Sequence, residues 1–147
     1  MGLRPKFKTS DIDSHTLEQY EELENSLIET LQFVGEGFVA DAREFTKSQG
    51  GFGDITGNLR SSIGYFITKN GSVIVEDVKK SDKGTDRKTG VSVAKSFIGK
   101  IKQGDGLRLY GVAGMEYARE VENSGKNVIS RQADTAIVEL KEILTEL

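Results

Sequence analysis

The 147-residue chain has no cysteine, no tryptophan, one histidine and one proline. Without cysteine there is neither a disulfide framework nor a thiolate nucleophile. With His15 as the only imidazole, a zinc site built from several histidines is excluded. A Ser-His-Asp device would have to centre on His15, which lies in a polar stretch with no nucleophile in an evident turn beside it. No run of about 18 apolar residues occurs, so no membrane-spanning helix and no membrane partner are expected. The first ten residues are basic, yet Asp11, Ile12 and Asp13 follow them where a signal peptide needs an apolar core. No leader is expected on that ground, and the protein is expected to stay where it is made. What is present is 36% hydrophobic and 29% charged residues, the balance of an ordinary globular domain. At this length folding buries roughly 70% of the unfolded chain's surface, so one domain over residues 1–147 is expected to hold together without a metal.

Charge is distributed more tellingly than the net of −3 suggests. Residues 11–48 carry ten acids against Arg43 and Lys47, a local net of −8. Residues 79–102 carry eight bases against Asp82 and Asp86, a local net of +6. The acidic side chains, Glu18, Glu21, Glu22 and Glu24 among them, lie on the polar side of an amphipathic pattern and read as a solvated or subunit-facing surface rather than an acid–base pair. The basic stretch could follow a phosphate backbone, but only Phe97 interleaves it, so no stacking platform for single strands is present and direct DNA binding is not expected. Docking of this segment on an acidic protein surface is the better reading, with Lys79, Lys80, Lys83, Arg87 and Lys88 as the candidate interface.

Leu17, Tyr20, Leu23, Leu27, Leu31, Val34, Phe38, Ala42 and Phe45 recur at steps of three or four and predict one long helix. Residues 1–13 read as a flexible tail, with Ser14 or Thr16 as the helix cap. Gly35 and Gly37 predict a kink, a close crossing or a division into two helices. The stripe, a little over about 40 Å long at about 1.5 Å per residue, is long for its own chain to bury. Gly50, Gly51 and Gly53 mark the stop, and a short helix capped by Thr56 is expected to carry Leu59 and Ile63 on one face. Asn70-Gly71 between two β-rich runs predicts a hairpin. Residues 79–106 read as an extended, mobile basic insertion or arm, with a possible helix over residues 91–102 on Val93, Phe97 and Ile101. Leu107, Leu109 and Val112 predict a third strand, and residues 115–123 a short helix ending at Gly125. The chain closes on a helix with Ala133, Ala136, Ile137, Leu140, Ile143, Leu144 and Leu147 at helical spacing. The fold class is α+β: a long N-terminal and a C-terminal helix packed on a small antiparallel sheet with its hairpin at Asn70-Gly71.

Neither glycine cluster makes a nucleotide site. The one at Gly50 follows a helix instead of a strand, and Gly99-Lys100 is followed by Ile101 where a P-loop needs Ser or Thr. No cofactor or metal is expected, and with no nucleophile, metal set or cofactor loop, no catalysis.

Two stretches carry a family resemblance. Thr56-Gly57-Asn58-Leu59-Arg60-Ser61-Ser62-Ile63 is similar to the Thr-Gly-x-Leu-x-x-Ser-Ile signature of the tail-completion, or head-tail joining, proteins of long-tailed bacteriophages. Tyr117-Ala118-Arg119-Glu120-Val121-Glu122-Asn123-Ser124-Gly125 resembles that family's Tyr-Ala-x-x-Val-Glu-x-Gly segment. Asn123-Ser124 places one extra residue before Gly125, and Val128-Ile129-Ser130 stands where a Pro-Phe pair commonly introduces the last helix. The resemblance implies a non-enzymatic virion component of a phage or prophage, made in the bacterial cytoplasm. Its implied partners are further copies of itself in a ring, expected as a hexamer, and the connector, or stopper, and tail-tube proteins at the neck. The alternative reading, from another class, is a cytoplasmic nucleic-acid-binding or regulatory module using residues 79–102.

Overall fold

The structure, a computed structural model, describes residues 8–44, 50–54, 57–79, 84–85, 88–101, 104–115 and 118–146. Helix α1 spans Thr9–Glu44, 36 residues without a break, about 54 Å at the usual rise. It begins before the expected cap. The Lys8 amide donates to Asp11 Oδ2 at 3.0 Å while the Asp11 amide donates to the Lys8 carbonyl, the reciprocal pairing that satisfies first-turn groups. Ser14 therefore lies inside the helix, its hydroxyl donating to the Ser10 carbonyl. Thr16 is likewise interior, and residues 9–13 of the expected tail are helical.

Gly35 does not break α1. A Cβ there would come within 2.5 Å of the Tyr65 ring, so the residue permits a close crossing of helix over sheet. Gly37 faces open space. The energetic cost of two glycines in a helix interior, about 1 kcal/mol each, is met by packing at one of them and is insufficient to interrupt the helix at the other.

Strand β1 (Ile63–Lys69) is central in a three-stranded antiparallel sheet of order β2-β1-β3, with β2 at Ser72–Asp77 and β3 at Leu107–Ala113. The β1–β2 turn is the expected two-residue loop. Asn70 and Gly71 have φ of 48° and 83°, as a type I′ turn requires. Ile67 pairs with Val75 but Thr68 with Val73, leaving Ile74 as an extra residue in a bulge. Side chains alternate across the pleat. Tyr65 meets α1 at Gly35, whereas Phe66 joins Val78 and Val112 in a cluster on the opposite face.

That second cluster corrects the reading of residues 79–106 as an extended insertion. Helix α3, Lys88–Ile98, buries Gly90, Ala94 and Ile98 and packs with Val91 and Ile101 against Phe66, Val78 and Val112. Of the expected face, Val93, Phe97 and Ile101, only Ile101 packs on this cluster; Phe97 stays 46% exposed, and Gly90, Ala94 and Ile98 form the buried side of the helix. Ala94 and Gly90 carry so little apolar area that they left no signal in the hydrophobic pattern.

The short helix α2 (Asn58–Ser62) precedes β1. Its N-cap is Gly57, with φ 77°, and not Thr56, which lies outside the described residues. Ile63 is extended, with ψ 127°, so it shares no helical face with Leu59; the two meet because the chain turns from helix into strand between them. Helix α4 (Ala118–Asn123) ends before Gly125, whose φ is 83°, and α5 spans Ser130–Glu146. The main core collects Phe38, Ala42, Phe52, Leu59, Ile63, Ala118 and Val128, from α1, both loops, α2, β1 and α4.

Candidate functional site

The two resemblance stretches converge on one side of the molecule. Leu59, Ile63 and Ala118 share the main core, and Val121 packs against it. Their polar neighbours tie chain ends together. Asp54 accepts from the Gly57 amide at 3.0 Å and from the Arg60 amide at 2.8 Å, closing the start of α2. Ser62 Oγ donates to the Leu59 carbonyl at 2.8 Å, and its carbonyl accepts from the Gly114 amide. Asn58 Oδ1 accepts from the Gly90 amide at 2.9 Å. A Cβ on Gly90 would lie 2.1 Å from the Asn58 carbonyl oxygen, so α2 and α3 are in backbone contact.

Two arginines fasten the end of α1 to this unit. Arg60 Nε donates to the Arg43 carbonyl at 3.0 Å, and its guanidinium stacks 4.9 Å over the Phe52 ring. Arg43 Nη2 donates to the Ile63 carbonyl at 2.8 Å and to the Lys79 carbonyl. A cation over the last carbonyls of a helix also complements the negative end of its dipole.

Glu122 does the equivalent for α5. Its carboxylate accepts from the amides of Val128 at 2.8 Å, Ile129 at 3.1 Å and Ser130 at 3.2 Å, the orphan donors of a helix start. Burial alone would raise its pKa, but the hydrogen bonds from Ser130 and from the Ile129 and Val128 amides prevail and hold it below the ordinary Glu range. Asn127 completes the corner: its Oδ1 accepts from the Arg131 amide, its amide donates to the Gly50 carbonyl, and it bridges Gly51 in parallel. Among the described residues, Leu59, Ser62, Ile63, Ala118 and Glu122 of the two stretches thus act as joints of the framework. Thr56 and Tyr117, the first residue of each stretch, lie outside the described residues.

Of the candidate basic interface, Lys79 follows β2 and pairs with Asp77 at 2.9 Å, an interaction that holds its pKa up. Lys88 opens α3. Lys80, Lys83 and Arg87 lie outside the described residues. The structure brings forward instead the exposed half of α1, which the apolar stripe had signalled. Burial begins at Val34, while Leu17, Tyr20 and Leu23 are 58%, 63% and 54% exposed. Lys69 braces this half from the hairpin, its Nζ 2.7 Å from Glu24, and that hydrogen bond raises the lysine pKa.

Between α1, α5 and β3 runs an apolar groove of about 200 Å³, lined by Val34, Phe38, Tyr65, Leu109, Ala133 and Leu140 among others. Among the described residues that line it, the one titratable group is the Tyr65 phenol, whose pKa is raised by burial and then by Glu36 and Asp77. Among the described residues no group of three or more His, Asp or Glu could hold a metal ion, and no helix is long and apolar enough to cross a membrane. His15 is exposed, 4.0 Å from Glu18. What this surface offers chemically is apolar contact and charge. No family model, curated protein or solved structure matches the chain.

Proposed function

We propose that the chain is a structural component of the head-tail joint of a long-tailed phage or prophage, a tail-completion or connector subunit that acts without catalysis by assembling into a ring. Its partners in this reading are further copies of itself, six to a ring, together with the connector and the tail tube. The observation that carries the proposal is the pairing of the two motif stretches. They occur in the family's order, on either side of a hairpin, and they meet in one core where their residues pack or cap. The exposed apolar half of α1 agrees with it, because a subunit that assembles needs a surface its own fold leaves uncovered.

The test is genetic and biochemical. Deleting the gene from the phage or prophage that encodes it is expected to leave DNA-filled heads and finished tails unjoined, and adding the purified chain to that lysate is expected to restore joining. Peptides of the chain should appear in purified virions by mass spectrometry. Virions that join normally without it, together with duplex DNA binding that weakens steeply with salt, would replace the neck role with a nucleic-acid role for residues 79–102.

A further inference from the structure

We infer that the exposed half of α1 is the arm by which one copy of the chain docks on the next, and that its seat is the basic outer side of α3 on the neighbour. The inference rests on the ring reading for its biological setting, but its physical argument is independent. The stripe that packs on the sheet at Val34 and Phe38 continues outward through Leu31, Leu27, Leu23, Tyr20 and Leu17 at the same helical spacing. Beyond Leu27 the described residues leave it mostly uncovered: Tyr20 and Leu23 border a shallow groove against Lys69 and Leu107, yet Ile12, Leu17, Tyr20 and Leu23 all stay about half or more exposed. A helix face of this kind is stabilised by packing far more than by propensity, so an uncovered one is incomplete.

Charge chooses the occupant. Residues 9–24 hold six acids and no lysine or arginine. Two such arms laid against each other would bring like charges together, which disfavours a symmetric α1–α1 pair. Residues 88–100 hold three lysines and no acid. On that helix Phe97 is exposed and Lys95 keeps 54% of its side chain exposed while sharing Glu76 at 3.4 Å, and Lys100, two residues past the helix end, is exposed. An exposed apolar ring on a segment that carries lysines and no acid complements leucines and a tyrosine on a segment that carries acids and no lysine or arginine. Because arm and seat are different surfaces, each copy can use its arm on one neighbour and offer its seat to another, the head-to-tail arrangement that closes into rings.

The contact is small. From Ile12 to Leu23 the arm presents a strip about 16 Å long and about 10 Å wide, well short of the roughly 800 Å² per partner of a stable complex. Association of the free chain is therefore weak and concentration-dependent, and a closed ring or a template multiplies it.

Sedimentation velocity on the full chain, from about 10 μM to about 1 mM, a range in which weak contacts of this size register, is expected to show growing oligomers that salt dissolves. Asp13→Lys with Glu21→Lys flanks the stripe with the wrong sign, and Lys95→Glu with Lys100→Glu does the same to the seat. Each pair of changes should weaken association about tenfold or more, and combining all four should regain most of it. Circular dichroism confirms folding of each variant. A chain that stays monomeric throughout, arm variants that associate more strongly, or a combined variant without rescue would overturn the inference. The two proposals fail separately: an associating chain absent from virions removes the neck role and leaves the arm, whereas a virion chain without charge-swap rescue removes the arm and leaves the role.

Discussion

At Glu122 one carboxylate serves three amides at the start of α5, and nothing else among the described residues accepts from the Val128 or Ile129 amides. Glu122→Gln keeps the shape but loses the charge and half the acceptor capacity, and should destabilise the fold by about 1–2 kcal/mol, the range of a lost cap, read as a lower urea midpoint. The same group dictates a pH dependence. Its folded-state pKa lies below the ordinary value, so its contribution is fully present above the unfolded Glu range and is lost as pH falls through the folded pKa. Wild type should therefore lose stability relative to Glu122→Gln as pH drops below about 4.5, and the two denaturation curves should converge in acid. Curves that stay parallel down to the acid limit would remove Glu122 from that role. Gly90 is the second decisive residue. Gly90→Ala drives a Cβ into the Asn58 backbone and is expected to cost about 1–3 kcal/mol through overpacking, although alanine favours a helix by up to about 1 kcal/mol over glycine. None of these ties was legible in the sequence. Glu122 and Ser130, Asn58 and Gly90, Arg43 and Ile63 are each joined through space, and no local pattern marks them.

Among the elements, those with a strong local cause were the readable ones. The hairpin was legible because Asn70-Gly71 is short-range chemistry, and α5 because its apolar positions recur within a single helix. The long helix was legible through its stripe, but its start was not, since the Asp11 carboxylate caps it by accepting from the Lys8 amide while more conventional caps, Ser14 and Thr16, lie inside the helix. Helix α3 was misread as an arm because its buried face is glycine, alanine and isoleucine in a lysine-rich context. Its packing yields a test. Ile98 is 2% exposed in the cluster with Phe66 and Val112, so Ile98→Ala should cost about 2–5 kcal/mol. The exposed Phe97→Ala should leave the urea midpoint of the free chain within about 0.5 kcal/mol of wild type. Equal losses at both positions would mean that α3 packs in another rotation. Trypsin adds a second check: cleavage after Lys95 should lag far behind cleavage after Lys79, because Lys95 lies in a packed helix and Lys79 follows the end of β2.

On the scale of the whole molecule, α1 is two helices by environment though one by geometry. Its second half belongs to the core through Val34, Phe38 and Ala42, and its first half extends the same face into solvent, braced at the hairpin by Lys69 and Glu24. Stability and assembly should therefore separate along a single helix. Phe38→Ala removes a residue 5% exposed at the centre of the main core and should cost about 3–5 kcal/mol, unfolding much of the population of a marginally stable domain. Changing Leu17, Tyr20 and Leu23 to Gln removes apolar area as well, but from a surface the free chain leaves more than half exposed. Glutamine is nearly as good a helix former as leucine, so each change should shift the free chain's stability by less than about 0.5 kcal/mol. The triple variant should keep the wild-type thermal midpoint while failing to form oligomers and failing to join heads to tails. Amide exchange locates the difference: residues 9–24 should exchange quickly in the dilute chain and slow down at high concentration, while residues 34–44 are protected in both. If the triple variant unfolds early, the outer half of α1 is held by its own chain; if it assembles normally, the contact between copies lies elsewhere on the surface.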